Sequence, residues 1–316
     1  MYTNLLGFLA LMSFLHAPVD HVMTPVYLFG QDSPISMNWP LTNNLELAKN
    51  PKRPPIKKDK NNFGIKTLAQ SVFVADVDSG GILFAKNIHD KHSIASLTKI
   101  MTALVVLEHD PELKGNLVLV KDDFSPMVRN VFFVGDVISK KDALAAMLVG
   151  SVNELGAAFS RSSGMSQDDF IKEMNKKAKD LNLSSLSFFD ATGLNPDNKG
   201  NAADVAALLT IALRDSRLKN ILNKQKVVLR TELGKEYLVK STNHLLTTFL
   251  NKDPYKIIGA KTGTLPEAGF CLAQVTQKDN HQVVVVVLHD TDHFLRYKDV
   301  KALTYWAFDS YNWFND

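Results

Sequence analysis

Cysteine is almost absent from this 316-residue sequence, in which Cys271 is the only one. A single thiol excludes an internal disulfide, and we expect Cys271 to be a small apolar core residue. A large excess of charge is also missing, because 36 Lys and Arg residues against 33 Asp and Glu residues leave a formal net charge of +3. This balance is too even for nucleic-acid binding to be inferred from charge, so no nucleic acid is expected as a partner.

The sequence also lacks a long uninterrupted apolar run near its beginning. Residues 5–15 (LLGFLALMSFL) are apolar, but residues 16–21 separate them from a second apolar patch at 22–29. The first run is too short to span a bilayer and is typical of a signal peptide, although no Lys or Arg precedes it and no small-x-small cleavage site follows it. We predict that residues 1–30 are a signal peptide or a membrane anchor, with a buried N-terminal helix as the alternative.

Residues 31–66 show little hydrophobic periodicity. They contain five prolines and end in a basic run, residues 49–60, with five lysines and Arg53. This composition predicts an extended, solvated linker. The basic run would attract anionic lipid headgroups or wall polymers, or would be only a soluble spacer. Together with the predicted leader, the linker indicates an extracytoplasmic protein of the periplasm or cell envelope, either secreted or tethered to the membrane by its N-terminus.

Residues 67–316 carry the pattern of one α/β domain, and 45% hydrophobic composition is enough for a full core. β-rich runs at 71–77 and 82–86 flank hairpin-type residues, and three apolar strands at 256–260, 269–276 and 282–289 come near the end of the chain. The expected fold class is α/β in the sense of an α+β sandwich, with a mainly antiparallel sheet flanked by helices and a helical subdomain. No repeat and no second-domain pattern is found.

Helices are expected between these two groups of strands and after them. They are predicted at 140–148 and 153–162, at 167–181 with Ser166 as the cap, at 202–214 with Asn201 or Asp204 as the cap, and at 291–313. A second hairpin is predicted from residues 227–231 and 236–240. The sheet would therefore combine strands from both ends of the domain, with the helical part inserted between them.

The stretch 93–108 (SIASLTKIMTALVVLE) predicts a helix that is apolar on nearly every face from Ile100 onward, with Ser93 as its N-cap. Ser96 and Lys99 are three residues apart, so on a helix the amine lies beside the hydroxyl. At a helix start, unpaired N–H groups and the helix dipole disfavour an extra proton on the lysine. This setting suits a serine nucleophile with a lysine as its base.

Three short motifs carry the chemistry, in the order Ser96-x-x-Lys99, Ser151-x-Asn153 and Lys261-Thr262-Gly263, the last followed by Thr264. The first two patterns recur at Ser216 and Ser36, but Ser216 has no long buried helix behind it and Ser36 lies in the predicted linker. The third pattern occurs once, at the end of a predicted strand, where backbone can lie along a substrate. The ordered set is therefore far more specific than any one motif.

With these motifs the chain resembles the penicillin-recognising serine peptidases of the D-alanyl-D-alanine carboxypeptidase and endopeptidase family. The resemblance runs from about Ser71 to the C-terminus through SIASLTKIMTALVVLE, MLVGSVNELGAAF, DATGLNP and IIGAKTGTLPEAGFCL. It implies a β-lactamase/DD-peptidase-like fold, peptidoglycan stem peptides as substrates and β-lactam antibiotics as covalent inhibitors. The activity it implies is a serine-type D-Ala-D-Ala carboxypeptidase acting through an acyl-serine intermediate.

The resemblance also implies a role for each motif residue. Ser96 would be the acylated nucleophile, Lys99 its base, Ser151 a proton relay and Asn153 a contact to the substrate amide. Lys261, Thr262 and Thr264 would hold the terminal carboxylate, and Gly263 would let the strand approach the substrate closely. The backbone N–H groups of Ser96 and Thr264 would form the oxyanion hole, and Lys261 would be the second cation that lowers the pKa of Lys99. The scheme requires no metal and no cofactor.

Three alternatives stay open. An endopeptidase that cleaves peptidoglycan cross-links would use the same motifs, and the short C-terminal part of the chain favours it. A β-lactamase would need a deacylating Glu in an E-x-x-L-N setting, but residues 165–201 contain only Glu173, within a predicted amphipathic helix. A non-catalytic penicillin sensor is less expected, because all three motifs are intact.

Residues 289–293 (HDTDH) contain four possible metal ligands. The segment lies between a predicted strand and a predicted helix, where Thr291 or Asp292 would cap the helix, so a capped turn is the expected structure. His244 is expected to be a surface histidine beside a helix start. No metal ligands are therefore expected.

Overall fold

The computed structural model describes residues 53–314. The predicted leader, residues 1–30, and the first part of the predicted linker lie outside the described residues. Within the described part of the chain, no helix combines the length and the apolarity needed to cross a bilayer.

The described residues contain thirteen short and long strands and seven α-helices. The strands are β1 Ile56–Lys57, β2 Ser71–Asp76, β3 Ile82–Lys86, β4 His92–Ser93, β5 Asn116–Val118, β6 Val137–Ser139, β7 Lys199–Gly200, β8 Lys226–Arg230, β9 Glu236–Lys240, β10 Tyr255–Leu265, β11 Gly269–Lys278, β12 His281–Asp290 and β13 Tyr311–Asn312. The helices are α1 Thr98–His109, α2 Lys140–Val149, α3 Asn153–Arg161, α4 Gln167–Asp180, α5 Ala202–Ala212, α6 Ser216–Leu222 and α7 Leu295–Ser310.

The central sheet has five antiparallel strands in the order β10-β11-β12-β2-β3. Its middle strand, β12, contains the five consecutive valines, and all of them are fully buried. Because successive side chains of a strand point to opposite faces, Val284 and Val286 enter one core, while Val283, Val285 and Val287 enter the other. The uninterrupted apolar run therefore reflects a strand that is covered on both faces.

The two faces of the sheet are covered by different helices. One core contains residues of α7, among them Leu303, Trp306 and Ala307. The other contains α1 and α5, with the helices of the inserted subdomain stacked beyond them. Cys271 is fully buried in this second core, as expected from the sequence. The expected fold class, an antiparallel sheet flanked by helices with a helical subdomain, is confirmed.

Two helices start at the capping residues predicted from the sequence. The side chain of Ser166 accepts a hydrogen bond from the backbone N–H of Asp169, and that of Asn201 accepts one from Asp204, as predicted. Asp292 Oδ1 accepts from the N–H groups of Phe294 and Leu295, so residues 289–293 form the predicted capped turn. Helix α7 begins at Leu295, which is later than the predicted residue 291.

Two sequence predictions about the motif segments were wrong. Ser93 does not cap α1, because it lies in the short strand β4 and its hydroxyl is buried without a hydrogen-bond partner. A 3₁₀ turn, Ala95–Leu97, separates it from the helix. Strand β10 does not end at residue 260 before the Lys261 motif but continues through it to Leu265. The reason is that its partner β11 supplies hydrogen bonds along the whole motif, with Lys261 opposite Ala273 and Gly263 opposite Cys271.

The last part of the predicted linker lies against the domain. Strand β1 pairs with β13, and the backbone N–H of Lys58 donates to Ser310 O at 2.9 Å. The indole Nε1–H of Trp306 donates to Asn62 Oδ1 at 2.8 Å. The segment is exposed or half-buried throughout, as its composition predicted, but pairing with β13 and the hydrogen bond from Trp306 hold it against the domain.

Candidate active site

Helix α1 and the turn before it present Ser96 and Lys99 together. Ala95, just before the serine, has a left-handed backbone with φ of 45°, which is uncommon for a residue with a Cβ and is typical of a constrained functional turn. The serine is partly exposed, whereas the lysine is completely buried in the first turn of the helix. Lys99 Nζ lies 2.9 Å from Ser96 Oγ, so the amine and the hydroxyl are in hydrogen-bond contact.

Lys99 has two further hydrogen-bond acceptors, each from a different element. Its Nζ lies 2.7 Å from Asn153 Oδ1 and 2.5 Å from the backbone carbonyl of Thr192. Burial lowers the pKa of Lys99 to about 7, and the nearby carboxylates of Asp190 and Glu154 oppose this shift. A lysine with this pKa is substantially neutral at physiological pH, so its lone pair can take a proton from the serine.

The second motif lies in the turn between α2 and α3. Ser151 also has a left-handed backbone, with φ of 59°, and such a residue persists only where the surrounding structure fixes it. Its Oγ accepts a hydrogen bond from Lys261 Nζ at 2.8 Å. Asn153 is the first residue of α3, and its side chain reaches Lys99. The turn therefore links the amines of the first and third motifs.

Strand β10 carries the third motif along the edge of the sheet. Lys261 is almost fully buried, and its Nζ donates to Ser151 and to the carbonyl of Thr262. Its pKa lies well below the usual value, first because of burial and then because of the positive charges of Lys99 and Arg296. The charge of Lys99 lowers the pKa of Lys261, whereas the lowered pKa of Lys99 results from its own burial and not, as predicted from the sequence, from Lys261.

Two glycines allow the motif segments to meet. A Cβ on Gly263 would lie 2.7 Å from the carbonyl oxygen of Ile94, so only glycine lets β10 pack against the turn that presents the serine. Gly193 has φ of 83°, and a Cβ there would lie 2.1 Å from the carbonyl oxygen of Ala95. The DATGLNP turn therefore packs closely against the same serine-bearing turn.

The side chain of Arg296, from α7, contacts β10 at Gly263 and Thr264. The guanidinium of Arg296 is buried, and its Nη1 donates to Gly263 O at 2.9 Å and to Thr264 Oγ1 at 2.8 Å. Thr264 itself is exposed. A fixed cation beside an accessible hydroxyl is a suitable site for a carboxylate.

The arrangement thus brings together a serine in contact with a buried amine of lowered pKa, a second buried lysine, and an arginine beside an accessible hydroxyl. Among residues 53–314, no group of three or more His, Cys, Asp or Glu side chains is placed to hold a metal ion.

A sequence profile of the D-alanyl-D-alanine carboxypeptidases matches residues 57–292. The chain belongs to this family. The match covers the serine, the lysines, the turn of the second motif and the whole of β10, but it ends just before α7 and Arg296.

Members of this family with two named activities are similar to the chain. D-alanyl-D-alanine carboxypeptidase DacF of Bacillus subtilis is 28% identical to this chain over the matched region. That region covers 77% of this chain and 63% of the length of DacF. A D-alanyl-D-alanine endopeptidase of Pseudomonas aeruginosa is 31% identical over a region that covers 75% of this chain and 76% of the endopeptidase. The solved structure of penicillin-binding protein D2 from Listeria monocytogenes, in its cefotaxime-bound form, matches 78% of this chain and 99% of its own at 28% identity, with a TM-score of 0.68.

The structure brings most of the sequence-predicted site residues of this D-alanyl-D-alanine carboxypeptidase family member into one cleft. Ser96, Lys99 and Asn153 form one hydrogen-bonded group, and Ser151 with Lys261 forms another. Gly263 lies against the serine-bearing turn and Thr264 lies beside Arg296. Thr262 is different: its hydroxyl is nearly buried and is 2.6 Å from that of Thr242, on the α7 side of the strand.

Sequence reasoning missed two parts of the site. Asp190 accepts hydrogen bonds from the backbone N–H groups of Thr192, Gly193 and Asn195, and so shapes the turn that delivers the Thr192 carbonyl to Lys99. The sequence predicts a turn at residues 190–196, but the residues of the turn do not show that its Thr192 carbonyl contacts Lys99. The contact of Arg296 with Thr264 could not be predicted either, because the sequence shows only a charged residue in the last predicted helix.

His244 lies at the margin of the site. It is exposed at the start of a 3₁₀ turn, as expected for a surface histidine beside a helix start. Its ring stacks on that of Tyr297 with 4.8 Å between the centroids.

Proposed function

We propose that this protein is a serine-type D-Ala-D-Ala carboxypeptidase that acts on peptidoglycan stem peptides through an acyl-Ser96 intermediate. The observation that carries the proposal is the contact between the buried amine of Lys99 and the hydroxyl of Ser96, at 2.9 Å, in a member of the D-alanyl-D-alanine carboxypeptidase family. A serine hydroxyl is a poor nucleophile until a base removes its proton, and this amine is positioned and tuned to do so.

Substrate binding would use the free edge of β10. An extended peptide laid along this edge places its terminal carboxylate near Thr264 and the guanidinium of Arg296, which are already 2.8 Å apart. The carbonyl of the terminal peptide bond then lies beside Ser96. Lys261 adds positive potential at the same end, and Asn153 contacts the substrate amide.

In acylation, Lys99 takes the Ser96 proton while Oγ forms a bond to the carbonyl carbon. The backbone N–H groups of Ser96 and Thr264 would receive the negative charge that develops on the carbonyl oxygen, each such donor lowering the barrier by roughly 3 kcal/mol. The tetrahedral intermediate collapses as the C–N bond breaks. Ser151, held by Lys261, relays a proton to the leaving amine, and D-alanine departs.

In deacylation, water attacks the ester carbon and Lys99 again accepts a proton. The tetrahedral intermediate then releases Ser96, which regains its proton, and the shortened stem peptide leaves. Lys99 can serve both half-reactions because it returns to the neutral state after each.

Two activities occur among the relatives, and the proposal has to choose between them. Carboxypeptidase action is our main proposal, and endopeptidase action on cross-links is the alternative, since relatives with both names are similar to the chain. A defined D-Ala-D-Ala monomer and a cross-linked dimer separate the two. Release of D-alanine from the monomer supports the main proposal, whereas cleavage of the dimer alone replaces it with the alternative.

β-Lactams are expected to acylate Ser96 and to stay bound. The only Glu in the region where a deacylating residue would be sought, Glu173, pairs with Lys176 on the surface of α4. Intact mass after incubation with benzylpenicillin tests this, with Ser96→Ala as the control that should carry no adduct. Rapid penicillin turnover would instead indicate a β-lactamase, and a stable adduct without peptide hydrolysis would indicate a penicillin sensor.

The place of action that fits this substrate is outside the cytoplasmic membrane, in the periplasm or cell envelope. Residues 1–30 would provide export or anchoring, and the basic run at 49–60 would contribute any association with anionic lipids or wall polymers. Fractionation of cells that express the full chain, before and after a high-salt wash, tests both parts of this proposal.

A further inference from the structure

A histidine lies behind the arginine at the carboxylate end of the cleft. The Nη1 group of Arg296 is engaged by Gly263 and Thr264, while its Nη2 group lies 3.1 Å from His293 Nδ1 and 2.9 Å from Tyr297 Oη. The guanidinium is therefore held on both sides, by strand β10 and by the side chains of His293 and Tyr297.

The direction of the bond to His293 follows from the chemistry of the two groups. A guanidinium has N–H donors and no acceptor, so His293 Nδ1 must accept the hydrogen bond and cannot carry a proton. The imidazole is then neutral, with its proton on Nε2. Protonation of Nδ1 would remove this bond and place a second positive charge against Arg296.

We propose that His293 is a positioning residue whose neutral imidazole holds the Arg296 guanidinium against Thr264 for the substrate carboxylate and whose protonation loosens it. The proposal rests on the proposed function, in which this end of β10 binds the terminal carboxylate. The hydrogen bond of His293 is to Arg296, so its proposed effect is exerted through Arg296.

The surroundings of His293 determine the orientation of its ring and the direction of its pKa shift. Its ring lies edge-on to Phe270 and Tyr297, with centroids 5.7 and 5.5 Å away, and close to His244. Burial lowers the pKa of His293, the positive charges of Arg296 and His244 lower it further, and only Asp292 opposes them. The neutral, bond-accepting form therefore prevails at neutral pH, and the protonated form appears only in acid.

The test compares three variants on two substrates. His293→Ala removes the acceptor, His293→Asn places an amide oxygen near the Nδ1 position but cannot titrate, and His89→Ala changes an exposed histidine elsewhere. The substrates are diacetyl-L-Lys-D-Ala-D-Ala and the same peptide with a C-terminal amide. We expect His293→Ala to raise KM about tenfold for the free acid, with little change for the amide and in kcat, because one hydrogen bond to a charged group is lost.

His293→Asn should retain wild-type KM at neutral pH and lose the rise in KM that the wild type shows in acid. His89→Ala should match the wild type throughout. Equal effects of His293→Ala on the acid and the amide would indicate a merely structural role and overturn the proposal, as would an unchanged KM.

An independent readout separates this proposal from the proposed function. Two-dimensional ¹⁵N NMR of the imidazole in the full chain reports which nitrogen carries the proton, and Nε2–H at neutral pH is expected. A protonated Nδ1 at neutral pH would overturn the proposal even if the enzyme is active. Failure of the wild type to cleave either peptide or to react with penicillin would overturn the proposed function, and the proposal with it, whatever the NMR result.

Discussion

The pH dependence of acylation tests the assignment of Lys99 as the base. Burial places the pKa of its amine at about 7, and only the neutral amine can accept the Ser96 proton. The neutral fraction is about one in eleven one unit below the pKa and about ten in eleven one unit above it. The acylation rate should therefore rise about tenfold between roughly pH 6 and pH 8, with little further increase.

The midpoint of this rise distinguishes Lys99 from an ordinary lysine. A lysine in water keeps its proton until about pH 10, so the rate would rise about tenfold for each unit up to that pH. The assay is the second-order rate constant for reaction with a fluorescent penicillin, measured by stopped flow over this range. A penicillin has no group that titrates near pH 7, so the midpoint reports the enzyme. A midpoint close to 10, or a rate that falls as the pH rises through 7, would refute the reasoning.

Other predictions concern the groups around this base. Glu154→Gln keeps an oxygen for the N–H groups of Val131 and Phe132, 2.6 and 3.0 Å away, but removes a charge that raises the pKa of Lys99, so the acylation midpoint should move to lower pH; an upward shift would contradict this. Ser151→Ala should slow acylation about 100-fold or more, and an unchanged rate would exclude the proton relay. Gly193→Ala should lower the free energy of unfolding by more than the roughly 1–2 kcal/mol expected from a left-handed Ala alone. Its control is Gly234→Ala, where φ is 82° but a Cβ meets nothing within 4 Å, and equal losses measured by urea unfolding would disprove the close contact at Gly193.

The sequence alone was sufficient for most elements of the fold. Continuous apolar runs and their lengths located the long strands and the buried α1, because an element that is covered on all sides carries few polar residues. Side chains such as Ser166 and Asn201 marked helix starts, since a cap acts on backbone only two or three residues away. The same locality explains the error at Ser93, whose environment is set by pairing of β4 with β7, about a hundred residues further along the chain.

The sequence by itself determined the reactive groups, and the tertiary structure decided what tunes them. The i,i+3 spacing of Ser96 and Lys99 requires only local helical geometry, so their contact could be predicted and the two residues proposed as nucleophile and base. The Thr192 carbonyl that binds Lys99 and the Arg296 side chain that binds Thr264 come from distant segments. Their positions depend on how the cores pack on the two faces of the sheet. Burial and neighbouring charges set the pKa of a lysine, and both are properties of the folded chain that no local pattern contains.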